Sequence, residues 1–217
     1  DPYIDEIAWS VAVLPTAYLT SEWAEPQLVV DNAHSIYLYD EDLDYVEIVD
    51  YGNSMTDDDY YSTTRYWKRD QNGSLYEVEV PRDIYYMYLV DPKITDEIPA
   101  YIDPDIIENN SSHNNNIVAP DAGFFWRDYL YNHNDDGYPK LKYALANCTV
   151  ANHFSFEESS AVGAIEHWIS QTMEFTSNAE RPHQPVRIYK KHIGRCGEHA
   201  DLRAAALRIA LIPATSI

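Results

Sequence analysis

The sequence predicts an α+β protein: a β-rich domain over residues 1–150, of no family that its residues identify, followed by a helical segment over residues 151–217. Three observations predict it. Runs rich in Tyr, Val and Ile alternate with a rough period of two between Ile36 and Val90. Apolar residues follow helical spacing from Ser159 to Phe175, and a second, almost wholly apolar helix starts at Cys196. With 217 residues, 45% of them hydrophobic, the chain can bury a sizeable core.

In order, IYLY from Ile36, YVEIVDY, TTRYWKR, LYEVEV and IYYMYLV read as strands. Between TTRYWKR and LYEVEV, the Asn72-Gly73 pair supplies the positive φ angles of a tight hairpin turn. Glu97 to Gly123, with Pro99, Pro104, Pro120 and the tract ENNSSHNNN, reads as a long surface loop. FFWRDYLYN is a short helix. Ala161, Val162, Ile165, Trp168, Ile169, Met173 and Phe175 line one face of the next helix, with Ser155 and Glu158 as its capping box. The last helix runs from Cys196 to about Ala210 and is buried; Ile212-Pro213 ends it, and Thr215 and Ile217 open a strand.

A formal net charge of −21 leaves no basic stripe for a phosphate backbone, which excludes nucleic acid as the expected partner. The same charge repels an anionic membrane surface, and no apolar run reaches the length of a membrane span. Nineteen tyrosines are too many for a disordered acidic chain. The first residue is Asp1, as in a processed or trimmed product whose signal peptide is gone. Asn72, Asn109, Asn110 and Asn147 open N-x-S/T sequons, and together these features point to an extracellular or cell-surface protein.

Two cysteines, Cys148 and Cys196, give no disulfide framework, although a single bridge between them is compatible with the sequence. Cys196 is the candidate catalytic residue. It opens a buried helix just after Gly194, where unpaired backbone N–H groups and the positive end of the helix dipole favour a thiolate. The same N–H groups can hold the oxyanion formed when a thiolate attacks an acyl carbon. A lone cysteine is more often a small buried hydrophobe; the surrounding motif is what singles this one out.

That motif, GRCGEHADLRAAALRIALIPA, resembles the nucleophile region of the transglutaminase-like superfamily, with its papain-like thiol fold. Gly194, Cys196, Ala200, Leu207, Arg208, Ile212, Pro213 and Ala214 match the family pattern, and the GRCGE run is also similar to that of peptide N-glycanases. One departure is Ala210-Leu211, where the family usually places a glycine second. The resemblance implies that residues 151–217 are the N-terminal part of a transglutaminase-like domain. It also implies thiol acyl transfer, or amide or peptide hydrolysis, on a protein or peptide substrate, without a cofactor or metal. The family's catalytic His and Asp would then fall after Ile217, so this stretch alone would lack a general base.

His199, one helical turn from Cys196, and the loop residues His183 and His192 are other candidate bases, but histidines so placed more often serve packing or capping. NHNDDG, from Asn132 to Gly137, opens like a calcium loop but has Tyr143 where the twelfth-position Glu belongs, and reads as a polar turn. The acidic runs Asp40–Asp44 and Asp57–Asp59 read as solvated loops, and the tyrosine-rich strands as β core. The alternative function, from another class, is an extracellular structural or binding protein that uses the transglutaminase-like helices as scaffold.

Overall fold

The structure is a computed structural model and describes residues 2–105, 117–118, 120–153, 159–177 and 180–216. The chain opens with α1 (Ile4–Val13), the one-turn α2 (Thr16–Leu19) and α3 (Pro26–Asp40). An antiparallel meander follows, β1 (Val46–Tyr51), β2 (Tyr61–Arg69) and β3 (Leu75–Glu79), and then α4 (Arg82–Tyr85), which runs directly into a π-helical turn (Tyr86–Val90). The two-residue strands β4 (Tyr101–Ile102) and β5 (Ile117–Val118) pair with each other. Next come α5 (Trp126–Asn132), α6 (Leu141–Leu145), β6 (Asn152–His153), α7 (Ala161–Thr172), β7 (Glu174–Phe175), α8 (Pro185–Lys191), β8 (Ile193–Gly194) and α9 (Cys196–Ile209). The fold is mixed α+β, as the sequence predicts, but the described part of residues 1–150 is not β-rich: its helices, from α1 to α6, outweigh its strands, because segments expected to be extended bury one face at helical spacing.

Two of the expected strands are helical. IYLY closes α3, where Leu28, Asn32, Ser35, Ile36 and Tyr39 are buried at spacings of three and four and Pro26 opens the first turn. Four residues alone alternate like a strand; the longer window has the helical period. IYYMYLV forms α4 and the π turn, burying Tyr85, Tyr86, Leu89 and Val90 while Ile84 and Met87 face outward.

β1, β2 and β3 form where the sequence predicts strands, and β1 pairs with β2, with Val46 opposite Tyr66 and Tyr51 opposite Tyr61. On its exposed side Arg65 pairs with Glu47, Glu77 and Glu79 at 3.1, 3.2 and 2.9 Å. The turn differs from the expected one. Gly73 alone takes a positive φ, +81°, and Asp70 caps the turn by accepting from the N–H groups of Asn72 and Ser74. That is a three-residue loop with glycine in the left-handed position.

One continuous core runs from Leu28 to Leu211 and takes side chains from both sides of residue 150. Two buried arginines fasten it. The π turn and α9 both end inside the protein, where their last carbonyls have no helical donors. Arg127 on α5 donates to the carbonyls of Leu89 and of Arg208 (3.0 Å) and to Asn32 Oδ1 (2.7 Å). Asn32 in turn donates to the Val90 carbonyl at 2.7 Å. Arg208 binds the carbonyls of Asp91 (2.9 Å), Lys93 and Ala214 (2.7 Å). Burial pushes the Arg127 guanidinium down to about 9 and that of Arg208 to about 10.

The end of α9 explains the family departure at Leu211. Ile212 N–H bonds Leu207 O at 2.9 Å and Leu211 N–H bonds Arg208 O at 3.3 Å, a Schellman closure. Leu211 therefore takes φ +58°, the conformation a glycine adopts freely, and its side chain is fully buried. The expected strand after Pro213 is absent over residues 212–216, although Ala214 N–H bonds Tyr88 O at 2.8 Å. Ile217 lies outside the described residues.

At the other end of the chain, α1 is anchored by acids. Glu6 Oε1 accepts from Tyr85 Oη at 2.7 Å, and Asp5 Oδ2 accepts from Ser62 N–H at 2.9 Å and from Tyr86 Oη. Glu6 Oε2 and Asp5 Oδ1 are buried and have no donor among the described residues. Burial first, then the neighbouring Asp5, raises the Glu6 carboxyl well above its ordinary range. The folded state thus favours a protonated Glu6 that can share its proton with Asp5.

Two tests follow from these contacts. Arg127→Met removes the donor of Leu89 O and Asn32 Oδ1 and one of two donors to Arg208 O, and should lower stability by roughly 3 kcal/mol, read as a shifted urea midpoint. Glu6→Gln keeps the Tyr85 acceptor and adds a donor for Asp5. Because the Glu6 value is raised on folding, its contribution is intact below its ordinary value of 4.5 and is lost as pH rises through the raised one. The variant should melt like wild type near pH 4 and above it at pH 7 to 8; equal melting temperatures at both would contradict a protonated Glu6.

Candidate active site

Cys196 is the first residue of α9 and is exposed. Several local features put it there. α7 starts at Ser160, whose Oγ accepts from Gly163 N–H at 3.1 Å; the Ser155–Glu158 box predicted from the sequence lies outside the described residues. The helix ends at Met173 and feeds β7, which pairs in parallel with β8, Phe175 opposite Gly194. α8 ends at His192 in the left-handed conformation, φ 52°, and so turns the chain into β8 and directly on to Cys196.

The N-cap residue, Arg195, has no side-chain acceptor for the first-turn N–H groups. The turn is held instead by Glu198, whose Oε2 accepts from Arg195 N–H at 2.8 Å and whose Oε1 accepts from Arg181 Nε. Burial works against the Glu198 charge, but these donors, Arg181 foremost, hold its carboxyl below the usual range. Gly194 is required by this arrangement: a Cβ there would stand 2.5 Å from Glu198 Cβ and 3.3 Å from Met173 Cε. On the other side of the turn, Phe175 is 70% exposed and lies 5.4 Å from the His199 ring.

The other sequence candidates each have surroundings of their own. His192 has both ring nitrogens engaged, Nδ1 with Thr172 O at 3.0 Å and Nε2 with Asp135 Oδ2 at 2.8 Å, and stacks on Tyr138 at 3.6 Å. His183 Nδ1 pairs with Asp96 Oδ1 at 2.7 Å. His199 is buried on α9, and its Nε2 has no hydrogen-bond partner among the described residues. Cys148 is buried, its Sγ 3.6 Å from Ala144 O, and burial pushes its thiol up to about 11. Both cysteines are free, so the single bridge compatible with the sequence is not formed.

The calcium-like run is a structural hub. Asp135 pairs with His133, Lys190 and His192 at 3.0, 2.8 and 2.8 Å, and although burial opposes its charge, these donors hold its carboxyl down at about 2. Asp40 accepts from Ile48 N–H, Asp42 pairs with Lys142, and Asp57 accepts from Asn53 N–H. Among the described residues no three His, Cys, Asp or Glu side chains are grouped to hold a metal ion. Arg181 and the role of Glu198 were not read from the sequence. The only signal was a glutamate at the third helical position, without the Ser or Thr that usually announces a capping box.

Residues 148–217 match the transglutaminase-like superfamily, and Cys196 lies inside the match. No curated protein and no solved structure matches the chain. Among the described residues no helix is long and apolar enough to cross a membrane.

Gly194→Ala should cost roughly 1–3 kcal/mol by overpacking against Glu198 and Met173. A thermal melt of the variant checks this, and an unchanged melting temperature would show that Glu198 can move aside freely.

Proposed function

We propose that Cys196 is the nucleophile of a thiol acyl-transfer or amide-hydrolysing site acting on a protein or peptide substrate. The reading rests on one observation: within the family-matched segment, the exposed cysteine opens a long helix whose first-turn N–H groups lack a side-chain cap from Arg195. In this reading residues 151–217 form the N-terminal part of a transglutaminase-like domain, docked on residues 1–150 through the continuous core.

The Cys196 thiolate attacks the carbonyl carbon of a peptide or side-chain amide. The carbonyl π electrons move to oxygen, and the first-turn N–H groups donate to that oxyanion. Collapse of the intermediate forms a thioester and expels the amine, which takes up a proton. Water or a second amine then resolves the thioester, giving hydrolysis or transfer respectively. The proton carrier is proposed to be a histidine oriented by an aspartate, both beyond Ile217 or on another chain. His192 has both ring nitrogens engaged, with Thr172 O and with Asp135, which favours that assignment over His192. Exposure of the sequon residues Asn72 and Asn147 supports an extracellular or cell-surface setting as part of the same proposal.

Iodoacetamide on the native protein, followed by peptide mass spectrometry, should modify Cys196 and reach Cys148 only after unfolding. In a chain extended past Ile217, Cys196→Ala should abolish thioester formation with a peptide amide substrate. A coding sequence past Ile217 with no His followed by Asp on strand-like segments, or equal slow labelling of both cysteines, would defeat the enzyme reading and leave a scaffold role.

A further inference from the structure

Arg181 crosses the first turn of α9 from the segment before α8. Its Nε is bonded to Glu198 Oε1, and the Arg181 side chain is 42% exposed while that of Glu198 is 4% exposed. Its Nη2 lies 3.4 Å from where a Cβ on Gly197 would stand, so the guanidinium rests against the residue next to Cys196. Glu198 presents a difficulty for a nucleophilic thiol. It braces the turn through Arg195 N–H, yet its buried negative charge, two residues from Cys196, opposes formation of a second negative charge on sulfur.

We infer that Arg181 is a positioning residue for Cys196: it holds Glu198 in its bracing geometry and cancels the charge that Glu198 would otherwise present to the thiolate. The inference rests on the reading of Cys196 as nucleophile. The Arg181 guanidinium is raised above its ordinary value by its bond to Glu198 first, with Cys196 and Asp201 adding to the effect, which agrees with the geometry. Among the described residues, other charged and titratable groups near the turn include Arg195, His199 and Asp201 on or beside α9, Glu174 on β7, and Glu97 and His183, which face Asp201. Glu180, next to Arg181, is paired with Lys191. Glu198 is the carboxylate that bonds the backbone of the turn itself, which makes its charge the one to be offset.

The test is the rate of iodoacetamide alkylation at Cys196, followed by peptide mass spectrometry between pH 6 and 9, with melting curves for every variant. Arg181→Met should slow the reaction at neutral pH roughly three- to tenfold and move the pH–rate profile upward. Arg181→Lys should keep most of the wild-type rate. The double variant Arg181→Met with Glu198→Gln should recover most of what the single variant loses, because both charges are gone. Glu198→Gln alone should react faster than wild type, which keeps the test decisive if Arg181→Met does not fold. An unmoved profile in folded Arg181→Met, or a double variant as slow as the single, overturns the inference and leaves Cys196 as nucleophile. A wild-type Cys196 that reacts no faster than free N-acetylcysteine overturns the nucleophile reading itself, and this inference with it.

Discussion

The π turn and α9 end in the interior of this protein, and the structure depends on how their carbonyls are met. A buried helix C-terminus carries partial negative charge and unfilled acceptors, which in an apolar core is costly. Here the π turn and α9 converge, and Arg127 and Arg208 supply fixed guanidinium donors to the carbonyls around that point. Neither arginine has a carboxylate partner in these bonds, and both are held below their ordinary values by burial. Their hydrogen bonds go to helix-end and loop carbonyls, while the nearby carboxylates of Asp91, for both, and Glu97, for Arg208, act on their charge. This knot connects α3, α5, the π turn and α9, so the N-terminal part of the chain fixes the helix that bears Cys196.

The opposite end of α9 has the complementary design. Its C-terminus is buried and closed by the Schellman bonds and Arg127, while its N-terminus is open to solvent and braced from the side by Glu198. An exposed thiol on a helix anchored so firmly at its far end gains a defined direction, because the helix has little freedom to tilt. Arg203 adds a lateral tie to Glu166 of α7 at 2.6 Å. The parallel pairing of β7 with β8 fixes the entry of the chain into the turn, and the His192–Asp135 contact fixes β8.

The large acidic excess is only partly a surface property. Glu6 is fully buried, and burial also pushes the carboxyls of Asp40 and Asp201 up to about 6. These acids serve local structure. Glu6 anchors α1, Asp40 accepts from the backbone of β1, and Asp201 faces Ser216 across the chain end.

By itself the sequence determined the α+β class, the three strands and the β2–β3 hairpin, the two long C-terminal helices and the place of Cys196 at a helix start. These are local properties: alternation, helical spacing, Gly-x-Cys and Ile-Pro-Ala are read within a few residues of one another. Tertiary structure decided the rest. IYLY and IYYMYLV became helical because burial on one side of a longer segment outweighs the strand preference of four or five aromatic and branched residues. Leu211 took a glycine's conformation because its side chain is buried and the helix end is bonded from Arg127. Arg181, fifteen residues before Cys196 and without a motif of its own, reached the thiol's turn only through the packing of α8 against α9. A charge partner of that kind is set by distance in space, which spacing along a chain does not encode.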